Sequence, residues 1–180
     1  MREYPWYELI SNSELITQGD ILHNCQVPVL GVSETIEENS TVAASVSIID
    51  GVILTQACDI ENRKIKNIIL CSILTKEEFE SQQRNQGRSE KQIKKNIESI
   101  IKGQQPALHI LNKFENENYT QDYIIVDFKD LFSVPVSYAQ SIAKNNKKRL
   151  RLCPPYREHL SQAFARYFMR VGLPIDIRID

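Results

Sequence analysis

The stretch ASVSIIDGVILTQ, residues 44–56, decides the predicted fold. Its two halves, residues 44–49 and 52–56, are rich in the β-branched residues that favour strands. The Asp50-Gly51 pair between them is typical of a two-residue hairpin turn. The sequence therefore predicts an antiparallel hairpin here, and further short strands are predicted at residues 66–73, 107–114, 122–128 and 149–153.

Two helix starts are predicted after the third of these strands. Thr75 is followed three residues later by Glu78, and Ser89 is followed in the same way by Gln92. This spacing is typical of a capping box, in which two side chains bond the free main-chain N–H groups of a helix N-terminus. Because residues 75–103 are also very polar, they are interpreted as a helical insertion that projects from the body of the protein.

A C-terminal amphipathic helix is predicted over residues 155–172. Proline suits its first turn, Gly172 and Pro174 end it, and one apolar stripe follows helical spacing. The stripe is Leu160, Ala163, Phe164, Tyr167, Phe168 and Val171. With a shorter helix at residues 137–144, the sequence predicts a single α+β domain over residues 1–180, built on a small antiparallel, barrel-like sheet closed by the C-terminal helix.

The composition excludes several classes of protein. The chain has 180 residues, 42% hydrophobic and 25% charged, as expected of one folded domain. Its apolar runs are far shorter than the roughly 18 residues of a membrane span, and residues 1–10 lack the apolar core of a signal peptide. A cytoplasmic protein without a membrane partner is therefore expected.

Charge is distributed unevenly along the chain, although the net charge is only −1. Residues 144–170 carry eight basic residues and one acidic residue. Strand alternation places Arg149 and Arg151 on one face, as binding to successive phosphates requires. The predicted nucleic-acid-binding residues are Lys148, Arg149, Arg151 and Arg157. The alternative is that the basic segment docks on the acidic part of the protein itself or forms a solvated face.

Candidate catalytic residues follow the predicted hairpin, where a strand ends and side chains are expected to emerge. They are Thr55, Cys58 and Asp59. A thiolate at Cys58 would need a histidine to activate it, and the chain offers His23, His109 and His159. The alternative is a buried cysteine beside an aspartate that caps the next turn. Because the four cysteines form no C-x-x-C pair and no secretion signal is found, free thiols are expected.

Residue type allows two possible metal sites. His23, Cys25, Cys58 and Cys71 are possible zinc ligands, but they lack the paired spacing of zinc sites. Asp50, Asp59 and Glu61 are of the type that binds magnesium, although turn formation explains acidic residues here more simply. We therefore expect no metal. Glycine-rich phosphate loops and nucleophile elbows are absent from the sequence, so no cofactor is expected.

The segment QGDIL, residues 18–22, followed by GVILTQ, residues 51–56, resembles the opening of the MazF/PemK-like toxins. The resemblance implies a small SH3-like barrel opened by a GDI turn, endoribonuclease activity, an antitoxin partner and a catalytic hydroxyl region at Thr55. The chain departs from the family at Gln18, where a basic residue is usual. The segment CPPYREHLSQAFARYFMRVGLP, residues 153–174, resembles part of a bacterial domain from mobile or defence-related loci.

These observations predict a binding or accessory module that acts through a protein partner in a bacterial toxin or phage-defence system. One alternative is an endoribonuclease or other RNA-binding protein, with His109 or His159 as its general acid, because histidine titrates near neutral pH. Another alternative is a thiol enzyme that uses Cys58. Whether the protein is an enzyme is left open by the sequence.

Overall fold

The computed structural model describes residues 4–31 and 44–169. Its strands are β1 (Tyr7–Ser11), β2 (Ile21–Leu30), β3 (Ala44–Ile53), β4 (Asn67–Thr75), β5 (Leu108–Leu111), β6 (Phe114–Asn116), β7 (Tyr119–Gln121), β8 (Ile124–Pro135) and β9 (Lys148–Leu152). Its helices are α1 (Ala57–Glu61), α2 (Lys76–Asn85), α3 (Glu90–Ile101), α4 (Val136–Asn145) and α5 (Tyr156–Phe168). The predicted α+β class is confirmed at this level.

The main sheet has five antiparallel strands in the order β2-β3-β4-β8-β5. Strands β1 and β9 form a second, two-stranded sheet, and β6 and β7 form a short hairpin. Because β2 and β5 are the two edges of the main sheet, that sheet is open in the described residues and does not close into the predicted barrel. The edge position of β2 agrees with Pro28, whose nitrogen cannot donate to a neighbouring strand.

The predicted hairpin turn at Asp50-Gly51 is wrong, because both residues lie inside β3 and pair with β4. Gly51 is required by close packing rather than by a turn. A Cβ atom at this position would lie 2.6 Å from Leu70 Cγ. The irregularity lies instead on β2, where a bulge between Leu22 and Cys25 puts Asn24 in the left-handed region with φ of 58°.

Two further boundaries differ from the prediction. Residues 130–135 lie beyond the strand predicted at 122–128, but they continue β8 and pair with the first half of β4. Residues 7–11 lie outside the predicted strands, but they form β1 and pair with β9. In both places the pairing partner is distant in sequence, so tertiary pairing overrides the weak local signal.

The helix signals are confirmed more directly. Both capping boxes are formed, with the Thr75 and Ser89 side chains accepting from the main-chain N–H groups of Glu78 and Gln92. The C-terminal helix begins one residue after Pro155. The described helix ends at Phe168, whereas Gly172 and Pro174, at which it was predicted to end, lie outside the described residues, as does the acidic segment at residues 34–40. No helix among the described residues is long and apolar enough to cross a membrane.

Helix α5 packs through Leu160, which is almost fully buried, and through Phe164, whose ring lies 5.5 Å from that of Phe128 on β8. Helices α2 and α3 pack through a separate cluster that includes Phe79, Ile93 and Ile125. This packing places α5 and the end of α3 on either side of the edge strand β5 and leaves a cleft between them.

Candidate binding cleft

The three predicted catalytic residues lie between β3 and β4, around the short helix α1. The hydroxyl of Thr55 accepts a 2.7 Å hydrogen bond from the main-chain N–H of Ile69 and so holds β4. Cys58 is exposed, and its thiol lies 3.7 Å from Gln56 Oε1 and 3.9 Å from Asp59 Oδ1. The contacts of Cys58 are local. The hydrogen bond from Ile69 holds the Thr55 hydroxyl towards β4 rather than towards Cys58.

The histidines that such chemistry needs lie elsewhere in the fold. His23 is bonded to Asp50 and Tyr119, whereas His109 and His159 line the cleft between β5 and α5. In the described residues, therefore, no histidine lies beside α1. The thiol-enzyme hypothesis lacks a group that activates Cys58 there, and the ribonuclease hypothesis lacks a general acid there.

Neither of the metal alternatives is assembled in residues 4–31 and 44–169, where no group of three or more His, Cys, Asp and Glu side chains could hold a metal ion. The thiol of Cys71 is buried and donates to the carbonyl of Asp127 at 3.2 Å. Cys25 is also buried, and burial raises the pKa of its thiol to about 12. Both thiols therefore stay protonated and behave as core residues.

Arg149 and Arg151 both turn inward to one buried carboxylate. Arg149 Nε lies 2.8 Å from Asp20 Oδ2, and both side chains are completely buried. Arg151 Nε binds the other oxygen, Oδ1. Arg149 also donates to three main-chain carbonyl groups, those of Ser11, Glu14 and Leu15. The GDI turn is thereby tied to β9 and to the loop after β1, and the buried charges are paired and hydrogen-bonded as their burial requires.

The four predicted nucleic-acid-binding residues therefore do not form one solvent-facing surface. Strand alternation does put Arg149 and Arg151 on one face, but this face packs against Asp20. Arg157 is half-buried and pairs with Glu158 at 2.8 Å. Lys148 is exposed.

A cleft of about 490 Å³ lies between β5, the end of α3 and α5. Its size is in the range of ligand-binding pockets, roughly 300–1,000 Å³. Its walls are partly aliphatic, and its polar groups come mainly from one face of α5 and from β5. These polar residues are Gln105, His109, His159, Gln162 and Arg166.

The electrostatics of the cleft favour an anion. Burial, and then the charges of His159 and Arg166, lower the pKa of His109 to about 4, so its imidazole is neutral at pH 7. In the described part of the chain, Arg166 has no acidic partner, whereas Arg149 and Arg151 share Asp20. A cation that no carboxylate neutralises attracts negatively charged ligands.

The edge strand β5 offers one unpaired main-chain residue to the cleft. The N–H of Phe128 donates to the carbonyl of Ala107 at 2.9 Å, so by antiparallel alternation residues 107, 109 and 111 face β8 and Ile110 faces away. The next outward carbonyl, that of Asn112, accepts from the Tyr7 hydroxyl at 2.7 Å. Across the described ranges, the N–H and C=O of Ile110 have no such partner, and Ile110 lines the cleft.

Trp6 separates this cleft from two neighbouring cavities. The first is an apolar pocket of about 180 Å³, which Trp6 lines together with Ile101, Ile110 and Tyr123. The second is a groove of about 420 Å³ with five aromatic residues in its walls: Tyr4, Trp6, Tyr7, Phe114 and Tyr156. The rings of Trp6 and Tyr156 are stacked 3.7 Å apart. The cleft therefore continues into an apolar and aromatic surface.

Sequence reasoning covered three polar residues of the cleft without bringing them together. Arg166 was counted within the basic segment, and His109 and His159 were named only as possible general acids. The spacing of His159, Gln162 and Arg166 on one helix is a signal for a shared face. The position of β5 at the sheet edge has no counterpart in the local sequence.

Comparison with known proteins adds no family to this description. No protein-family model matches the chain, and no curated protein matches it either. Function therefore has to be inferred from the geometry and chemistry of the site.

Proposed function

We propose that the protein is a binding module whose cleft between β5 and α5 receives a short, extended, acidic segment of a protein partner. The observation that carries this proposal is the meeting, in one cleft, of two groups that have no partner among the described residues. They are the outward main-chain N–H and C=O of Ile110 and the guanidinium group of Arg166.

Each group has a matching feature in an extended acidic peptide. A peptide that adds to a sheet edge forms main-chain hydrogen bonds, and pockets for its side chains give specificity. Arg166 would bind a carboxylate by charge-assisted hydrogen bonds. The apolar pocket beside Trp6 and Tyr123 would take one apolar side chain of the same segment. Because Ile110 is the residue of this short edge whose main-chain N–H and C=O both lack a partner among the described residues, the recognised segment is short.

The test is selection of peptides from a random heptapeptide display library by the purified protein and by two variants. The wild-type protein is expected to enrich peptides with one large apolar residue and one or two acidic residues. Arg166→Glu should lose the preference for acidic residues, because the cleft then carries a negative charge. Lys148→Glu is the matched control, since Lys148 is exposed on β9, and it should keep the wild-type preference. No enrichment, or the same acidic motif with Arg166→Glu, would contradict the proposal.

A second candidate function is binding of single-stranded RNA, and the aromatic groove beside Trp6 favours it. Stacking of bases on aromatic side chains is the usual mode of single-strand recognition, and Lys113 lies in the same groove. Tyr4 is 53% exposed, so Tyr4→Ala should weaken RNA binding without loss of fold. Binding should also fall with salt, with a slope of about −0.7 per phosphate contact. If the affinity for an oligoribonucleotide does not change with salt concentration, this second candidate function is contradicted.

The prediction of an SH3-like barrel, as in MazF/PemK-like toxins, belongs to this second candidate. The contacts of the GDI turn support this prediction. The Gly19 N–H donates to the Ile53 carbonyl at 2.9 Å, and Asp20 binds both arginines of β9. Closure of a barrel would need β2 and β5 to pair, although they are opposite edges of the main sheet. RNA cleavage by the purified protein would favour this candidate.

We further propose that the module works in the cytoplasm, in a bacterial toxin or phage-defence system. What supports the compartment is that all four cysteines are free, as is usual in a reducing environment. Binding of the wild-type protein, but not of Arg166→Glu, to a purified product of a neighbouring gene would support this setting. Equal binding by both would contradict it.

A further inference from the structure

A second cluster of reactive groups lies at the β2 bulge, away from the cleft. His23 Nδ1 is 2.6 Å from Asp50 Oδ2, and His23 Nε2 is 3.1 Å from the hydroxyl of Tyr119. The bulge at Asn24 allows this contact, because the N–H of Asn24 donates to the other oxygen of Asp50 at 2.8 Å. A carboxylate, an imidazole and a phenol therefore form one hydrogen-bonded chain.

The directions of the hydrogen bonds follow from the chemistry of the three groups. Hydrogen bonds to His23 and Asn24 lower the pKa of Asp50 against the effect of burial, so Asp50 is ionised at neutral pH and only accepts. A neutral His23 ring must then carry its proton on Nδ1, which leaves Nε2 as an acceptor. In this tautomer the Tyr119 hydroxyl donates a hydrogen bond to Nε2 of His23.

The hydrogen-bonded chain of Asp50, His23 and Tyr119 is held in place and is partly exposed to solvent. The side-chain amide of Asn146 accepts a hydrogen bond from the His23 main-chain N–H at 3.1 Å and donates one to the His23 carbonyl at 3.4 Å. The His23 side chain is 23% exposed and that of Asp50 is 42% exposed. The order of groups, a carboxylate that orients an imidazole that in turn contacts a hydroxyl, is the arrangement that activates hydroxyl nucleophiles.

We propose that Tyr119 is a group-accepting residue, and that the Asp50–His23 pair removes its phenolic proton when it takes an acyl group from an activated ester. The oxygen of Tyr119 forms a bond to the acyl carbon, and the bond from that carbon to the alcohol or phenol oxygen of the ester breaks. The phenolic proton passes to Nε2 of His23, and from there to water or to the departing oxygen. This acyl transfer needs no oxidant and no metal.

The phenol does not react in this way without its base. Burial, and then the charge of Asp50, raise the pKa of Tyr119, so little phenolate forms spontaneously at neutral pH. Reactivity at this position is therefore a property of the chain of three residues and not of an exposed phenol.

The experiment uses p-nitrophenyl acetate as the acyl donor and peptide mass spectrometry as the readout. Tyr4 is the internal control, because it is 53% exposed and thus more accessible than the half-buried Tyr119. We expect Tyr119 to be acetylated about 100-fold faster than Tyr4, the lower range of general-base catalysis. Acetylation of Tyr119 no faster than that of Tyr4, or stable acetylation of His23 instead, would overturn the proposal.

Variants separate activation from accessibility. His23→Gln should lower acetylation of Tyr119 to the rate of Tyr4 or below it, and Tyr119→Phe should remove the label from this peptide. If His23→Gln does not fold, Asp50→Asn provides the test, because it keeps the imidazole but removes the group that orients it. Unchanged acetylation in the folded variant of either kind would overturn the proposal.

Discussion

The two arginines of β9 and Arg166 of α5 are close in sequence, but they have opposite surroundings. Arg149 and Arg151 share the buried carboxylate of Asp20 and join the GDI turn to β9. Arg166 faces a cleft and has no acidic partner in the described residues. A cluster of basic residues in the sequence therefore does not by itself form a binding surface. Its role depends on whether the fold brings a carboxylate to it.

The two regions also differ in what a substitution is expected to cost. Loss of one partner from a buried ion pair leaves an unpaired charge in the protein interior, which is strongly destabilising. Loss of an unpaired surface cation changes stability little.

Arg149→Met should destabilise the protein by about 3–5 kcal/mol, because it leaves Asp20 buried beside only one arginine and removes one donor from each of three carbonyl groups. Urea denaturation measures the loss. Lys148→Met on the same strand is the control and should stay near the wild-type midpoint, since Lys148 is exposed. Equal midpoints for the two variants would show that the buried cluster is not a structural centre.

Acid should destabilise the cleft region through His109. The pKa of His109 is about 4 in the folded protein and ordinarily 6.5, so the unfolded chain binds more protons between these values. Stability is therefore full above pH 6.5 and falls as the pH drops towards 4, by about 3 kcal/mol at most from this group. His109→Gln should flatten this part of the curve of unfolding free energy against pH. An unchanged slope would contradict the burial of a neutral imidazole.

Gln18→Ala tests the link between the two regions. The side-chain amide of Gln18 donates to the carbonyl of Leu54 at 3.1 Å and to the hydroxyl of Ser161 on α5 at 2.8 Å. Its removal leaves a buried acceptor unsatisfied and should cost about 1–3 kcal/mol. Hydrogen exchange should also become faster along α5 than along α3. Uniform exchange across both helices would mean that the GDI turn does not position the cleft.

Arg166→Ala should have the smallest effect on stability, within about 0.5 kcal/mol of wild type. The physical reason is that no described carboxylate or carbonyl group loses a partner. Thermal unfolding of the variant beside the wild-type protein checks this. A large loss of stability would place Arg166 with Arg149 and Arg151 among the structural arginines.

The features that sequence predicted well are those with local causes. The capping boxes at Thr75 and Ser89 depend on residues three positions apart, and both are formed. Asp50-Gly51 is an instructive failure, because the same dipeptide suits a turn and a close strand contact. The side chain that requires glycine at position 51 is Leu70, which lies on the next strand and gives no signal near Gly51.

The candidate site was less accessible to sequence reasoning than the fold. Asp20 and Arg149 are 129 positions apart, and only the pairing of β1 with β9 and the bridge from Asp20 to Arg151 brings them together. The unpaired N–H of Ile110 depends on the strand order, which places β5 at the edge. Both facts arise from long-range topology, so residue type alone could name Arg166 and His109 but not their cleft.

The most direct test of this account is an NMR titration of ¹⁵N-labelled protein with the strongest peptide from the library selection. We predict that the Ile110 amide and the Arg166 side-chain resonance shift most, and that the Ile110 amide exchanges more slowly in the complex. Val46 and Ile48, which are exposed on β3, should be unaffected. Shifts centred on Val46 and Ile48, with Ile110 unchanged, would contradict the claim that the β5–α5 cleft is the binding site.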